Sequence, residues 1–159
     1  SINYADALKY DDESTKVEEC IDSIWRGNYN AIANCNHILA HIDERKGIFS
    51  SGVYEAVKAE AMALRGFLHF DLLRGFAPSY SRGANEAAIP YVEKVTNEPV
   101  AQLTVAEVVD KVIDDVETVR KLIKEVDPIG PSFDSYTEQG YETEDYIQGD
   151  GFGCIGNPV

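Results

Sequence analysis

Positive charge is scarce in this sequence. Against 28 aspartates and glutamates stand only 14 lysines and arginines, for a net charge of −14. Such a chain is repelled by phosphate backbones and anionic lipid surfaces, which excludes nucleic acid as a partner. Long apolar runs are missing as well. No stretch approaches the roughly 18 residues that a membrane span requires. The opening residues, SINYADALKYDDE, are neither basic nor apolar, as a secretory signal would be. The chain starts at Ser1 rather than at methionine, which reads as a processed or cut chain. Cysteine is scarce, with three residues and no CxxC spacing, so a zinc ribbon or thioredoxin-type centre is excluded. Cys20 and Cys35 fall within one predicted helix about 22 Å apart, too far to pair. Cys154 reaches either of them only if the tail folds back.

What is present is a helical pattern. With 159 residues and 44% hydrophobic content, the chain can build one domain with a core, or a substantial piece of a larger one. Val17, Ile21, Ile24, Trp25, Ile32, Leu39 and Ile42 recur at helical spacing and predict a first helix from about Glu13 to Arg45, stopped by Gly47. Gly27 lowers helix propensity inside it, a cost most easily borne where close packing excludes a side chain. The second helix is predicted from about Ser51 to Gly75, ahead of Pro78. Its stripe is Val53, Val57, Ala61, Leu64, Leu68 and Leu72, widened by Tyr54, Phe67 and Phe70.

The third helix has the clearest start: Thr104 as N-cap with Glu107 three residues later reads as a capping box, and Leu103 can staple to Val108. Its expected apolar face is Val105, Val108, Val109, Val112, Ile113, Val116, Val119 and Ile123. So many β-branched residues imply that tertiary packing holds this helix. Asp110, Asp114, Asp115 and Glu117 read as its solvated face. Residues 76–103, with four prolines and glycines, are expected as an irregular crossing, and 127–159 as a loop-rich tail. The fold class is therefore all-α, three long helices with irregular loops.

Within the second helix, EAMALRGFLHFDLLRGF is apolar enough for burial yet carries Glu60, Arg65, His69, Asp71 and Arg74. Arg65 and His69 are spaced i, i+4 and share a face, while Asp71 and Arg74 are spaced i, i+3 and can pair. No Ser or Cys nucleophile lies in this helix, so the charges read as structural fasteners, with Glu60 and Arg65 reaching neighbouring helices. His37 and His41 are one turn apart but lack the intervening Glu and a third ligand, so they read as surface histidines and no metal is expected. GFGCIG at 151–156 spells GxGxxG without the preceding strand or following helix, and reads as loop. Trp25, on the stripe of Ile21 and Ile32, reads as a core residue. No cofactor is called for.

The succession WRGNYNAIANCNHIL, EAMALRGFLHFDLLRGF, AAIPYV and LTVAEVVDKVIDDVETVRKLI resembles the first helices of the SusD/RagB family. The parts that carry the likeness are Tyr29, Ile32 and Asn36, then Glu60, Ala61, Leu64, Arg65 and Phe67, then Pro90 and Tyr91, over about residues 17–126. The resemblance implies tetratricopeptide-like helical pairs. It further implies a non-enzymatic, lipid-anchored protein of the bacterial outer-membrane surface, which binds a glycan or other nutrient and hands it to a SusC-like TonB-dependent transporter. Family members are longer and Cys20 follows no lipobox, so the chain reads as an N-terminal fragment, truncated at both ends, whose anchor lay upstream. Sugar contacts are then expected outside the helices, from Tyr4, Tyr10 and Asp11 and from Tyr136, Tyr141 and Tyr146, whose rings can stack on pyranose faces. A second reading, a helical-repeat module whose groove holds a peptide or partner protein, stays open from the residues alone.

Overall fold

The computed structural model describes residues 15–124 and residue 126. Three long helices dominate: α1 (Thr15–Ile42), α2 (Val53–Phe76) and α4 (Val105–Ile123), with a one-turn α3 (Tyr80–Gly83) between the last two. The α1 ladder stops at Ile42 and tightens into a 3-10 helix over Asp43–Ile48, earlier than the expected Arg45. Gly52 then turns the chain with φ +79°, a left-handed conformation that favours glycine. Lys58 Nζ and Tyr54 Oη each donate to Asp43 Oδ1, at 2.6 and 2.7 Å, and fasten this corner.

The three helices alternate in direction. Trp25 meets Phe76, Asn36 meets Arg65, and Asp43 meets Lys58, so α1 and α2 run antiparallel as a helical pair. Gly66 faces Asp115 while Leu73 shares a groove with Val105 and Val109, so α2 and α4 are antiparallel too. The 28 residues expected as an irregular crossing, 76–103, hold more order than the sequence suggests. Strands β1 (Ala87–Pro90) and β2 (Gln102–Thr104) pair antiparallel, Ala87 opposite Thr104 and Pro90 opposite Gln102. Segments this short show no readable alternation, which is why periodicity did not reveal them. The Thr104 capping box is formed, with Glu107 N–H donating to the Thr104 hydroxyl and Thr104 N–H to the Glu107 carboxylate.

The core gathers Ile32 of α1, Leu72 and Leu73 of α2, Val105 and Val108 of α4, and Ala88, Ile89 and Tyr91 of the hairpin. Trp25 is half-buried at its edge, tilted on Tyr29 and edge-on to Phe76, each with ring centroids 4.9 Å away. Several stripe residues lie elsewhere than expected. Ile21, Ile24, Val53, Leu64, Phe67, Phe70, Ile113 and Val116 are exposed among the described residues. On α2 the cause is that both sides of the helix carry large apolar residues, and contacts with α1, α4 and the hairpin select the side holding Arg65, Gly66, His69, Leu72 and Leu73. Gly27 does not mark a close approach, since among the described residues nothing comes within 4 Å of a Cβ placed there. Gly66 does: its Cβ would stand 3.4 Å from Asp115 Cβ, so α4 lies directly on the α2 backbone. Gly83 is tighter still, with a built Cβ only 2.8 Å from Pro78 Cγ.

Candidate functional site

Where the three helices meet the hairpin, a polar cluster sits inside the apolar core. Arg65 projects from α2 towards α4. Its Nε donates to Asp115 Oδ2 at 2.8 Å and its Nη2 to Asp115 Oδ1 at 2.6 Å, a two-pronged pair at 7% and 5% residue exposure. Asp115, expected on a solvated face, is thus buried: the fork of Arg65 and the bare backbone at Gly66 draw it inward. Asp110, Asp114 and Glu117 are exposed. The third arm of Arg65, Nη1, donates to Asn36 Oδ1 of α1 at 3.2 Å.

From this centre the cluster holds the segment that follows β1. Asn36 Nδ2 donates to the Val92 carbonyl at 2.7 Å, and Tyr29 Oη to the Pro90 carbonyl at 2.8 Å. Tyr91 Oη donates to Asp115 Oδ2 at 2.7 Å, and Lys111 pairs with Glu93 at 2.8 Å on the outer rim. His69 completes the set from α2. Its Nδ1 faces the Arg65 carbonyl at 2.8 Å and therefore donates, and its Nε2 accepts from Val92 N–H at 3.0 Å. That pair of partners defines a neutral ring with the proton on Nδ1. Tyr91 stacks on it with ring centroids 3.8 Å apart and planes 18° off parallel. Residues 90–93 are consequently tied to all three long helices.

The electrostatics follow from burial. His69 is fully enclosed, and burial lowers its pKa to about 4, with the nearby Arg65 guanidinium acting in the same direction. Burial opposes the charge of Arg65, but the hydrogen bonds and charge of Asp115 more than offset it and hold its pKa above the ordinary value. Burial raises the pKa of Tyr91, reinforced by its bond to Asp115; burial also raises Tyr29 and the Cys35 thiol. Among the described residues no buried side-chain nitrogen or oxygen lacks a hydrogen-bond partner. The cluster is therefore a complete internal network, suited to fastening, with no group left over to meet a ligand.

The remaining sequence candidates scatter. Glu60 is exposed on the side of α2 away from Arg65, because 100° per residue turns it from that face, and it fastens to no neighbouring helix among the described residues. Asp71 and Arg74 stand 3.9 Å apart on the surface. His37 and His41 are exposed with ring centroids 4.8 Å apart, and no group of three metal-ligating side chains occurs among the described residues. Tyr4, Tyr10, Asp11, Tyr136, Tyr141, Tyr146 and the GFGCIG stretch lie outside the described residues. Two grooves open beside α2. One of about 440 Å³ lies between Ile21, Ile24 and Asn28 of α1 and Asp71, Arg74 and Phe76 of α2. The other, about 420 Å³, lies between Phe70 and Leu73 of α2 and Val105 and Val109 of α4.

The three helices and the hairpin fall within the span of a known family. The SusD-like family described as "Starch-binding associating with outer membrane" matches residues 1–128. The chain belongs to this SusD-like family. Solved structures agree. A putative sugar binding protein from Bacteroides vulgatus ATCC 8482 is 30% identical with a TM-score of 0.56, over 63% of this chain and 23% of that one. A SusD-like carbohydrate binding protein from the same organism is 27% identical with a TM-score of 0.57, over 64% and 22%. A SusD superfamily protein from Bacteroides thetaiotaomicron VPI-5482, at 24% identity and a TM-score of 0.56 over 62% and 22%, shares the fold. This SusD-like chain thus spans under a quarter of the length of the solved structures it matches. No curated protein matches it.

Sequence reasoning singled out Arg65 but neither its partners Asp115 and Asn36 nor the part that Tyr91 and Tyr29 take in the cluster. Asp115 carried a usable signal: it falls within an otherwise valine-rich face, eight residues before Ile123, where a solvated acid would interrupt the stripe.

Proposed function

We propose that this SusD-like chain is the N-terminal helical region of a cell-surface carbohydrate-binding protein that holds an oligosaccharide without altering it. In that reading it passes the sugar to a SusC-like TonB-dependent transporter in the outer membrane, to which it is anchored by lipid upstream of Ser1. The single observation that carries the proposal is the family match over residues 1–128, whose description joins starch binding to the outer membrane. The two Bacteroides vulgatus relatives, described as sugar- and carbohydrate-binding, support the substrate class.

In this proposal the three helices and their clasp are scaffold. The clasp spends its polar groups internally, so sugar contacts come from segments outside the helices, with Tyr4, Tyr10, Asp11, Tyr136, Tyr141 and Tyr146 as the residues of this chain that take part. Aromatic rings hold pyranose faces by stacking, and carboxylates accept hydroxyl hydrogen bonds; neither requires a nucleophile, a general base or a metal. Neutral sugars displace no counterions, so affinity should vary little with salt. Calorimetry of the intact protein against a panel of oligosaccharides, followed by product analysis after long incubation, tests the reading. Binding without turnover supports it. Hydrolysis of any glycan, or capture of peptides with no sugar bound, overturns it.

A further inference from the structure

The surroundings of His69 leave no place for a second ring proton. The side chain is fully buried, with Nδ1 donating to the Arg65 carbonyl at 2.8 Å and Nε2 accepting from Val92 N–H at 3.0 Å. A proton on Nε2 would set one N–H against another, and the bond to Val92 would be lost. Tyr91 lies over the ring with centroids 3.8 Å apart, and Tyr29 of α1 meets it edge-on at 6.1 Å. The charges around the ring pull in opposite directions. Arg65 on α2 opposes protonation, Asp115 on α4 and Glu93 after β1 favour it, and burial outweighs them all. A charged imidazole here needs water, and the groups lying against its face and its free nitrogen are Tyr91 and the Val92 amide.

The hairpin side of this contact is the side able to yield. Residues 90–93 are held by side-chain bonds from Tyr29, Asn36 and His69 and by the bond from Tyr91 to Asp115. Lifting the segment returns each of these groups to water, which can replace the lost partner. Both prongs of the Arg65–Asp115 pair and the bond from Arg65 to Asn36 bypass the ring, so the three helices stay fastened without it. The base of the hairpin is tied separately, by Val105 N–H to the Glu86 carbonyl at 3.1 Å and Ala106 N–H to the Ala84 carbonyl at 2.9 Å. We propose that His69 is an acid-operated latch: neutral, it holds residues 90–93 on the helices, and on taking a proton it lets that segment lift while α1, α2 and α4 remain packed. Lifting returns the ring to water and to its ordinary pKa of 6.5, so opening becomes about tenfold easier for each pH unit from there down to about 4. The latch is independent of what ligand the protein binds.

Hydrogen exchange of the intact, unsubstituted protein, read by mass spectrometry from about pH 7 to about pH 3, follows both halves of the device. Slow exchange of the imidazole Cε1–H reports the protonation of His69. Amide exchange, corrected for its intrinsic rate at each pH, reports the opening of residues 91–93 and of α2. Residues 91–93 should lose protection in step with the protonation of His69, while Leu72 and Leu73 keep theirs. In His69→Gln, whose amide can bond both partners without titrating, residues 91–93 should stay protected throughout; where that variant does not fold, the parent protein decides. A charged His69 beneath a protected hairpin overturns the proposal. So does a ring still neutral at the acid end, simultaneous loss of protection in the hairpin and α2, or the same acid opening in a folded His69→Gln.

Discussion

Arg65 on α2 and Asp115 on α4, 50 positions apart in sequence, meet as a two-pronged ion pair with N–O distances of 2.8 and 2.6 Å. Asp115 also accepts from Tyr91, and Arg65 also donates to Asn36, so one pair joins two helices to a third and to the hairpin. Burying two opposite charges is not in itself a large gain, because desolvation cancels much of the attraction. Losing one of them is costly.

Arg65→Ala should therefore destabilise the protein by about 3–5 kcal/mol, since it strands the Asp115 carboxylate in a dry interface. Asp115→Leu should cost a similar amount for the mirror reason. The double variant Arg65→Ala, Asp115→Leu should be less damaging than the sum of the two single changes, because no charge is left buried. Urea unfolding of the four proteins checks this; additive losses would contradict it.

Tyr91→Phe keeps the ring that stacks on His69 and removes the hydroxyl that bonds Asp115. A loss of about 1–3 kcal/mol is expected for a buried acceptor deprived of a donor. An unchanged denaturation midpoint would show that Arg65 alone satisfies the carboxylate.

Acid should loosen the clasp through His69. Its pKa falls from 6.5 to about 4 on folding, so the unfolded chain binds a proton more readily. The stability this group contributes is complete above pH 6.5 and is lost as pH falls through the interval down to about 4. The loss amounts to about 3 kcal/mol once both states are protonated. Denaturant midpoints measured across that range, beside those of His69→Gln, should fall more steeply with acid in the parent.

Chelation should leave the melting temperature unchanged. His37 and His41 face solvent together without a third ligand among the described residues. A clear downward shift on adding EDTA to the protein as purified would reveal a metal that these residues hold.

The existence and order of the long helices were legible from the amino acids, because 3.6-residue periodicity and the Thr104–Glu107 box are local properties of the chain. Arg65 was legible as a fastener because a charge inside an apolar helix must find a partner. Which partner it finds depends on how helices 50 residues apart slide and rotate against each other, which no local pattern encodes. The same limit explains the buried face of α2: the helix is apolar on both sides, so its own sequence does not choose between them. Tertiary contacts chose the side with two polar residues, since Asp115, Asn36 and Val92 together satisfy Arg65 and His69 there. Sequence by itself determined the helices, the net charge of −14 and the family likeness. Tertiary structure alone decided the clasp and the face left open, because both arise from distances between residues that are remote along the chain.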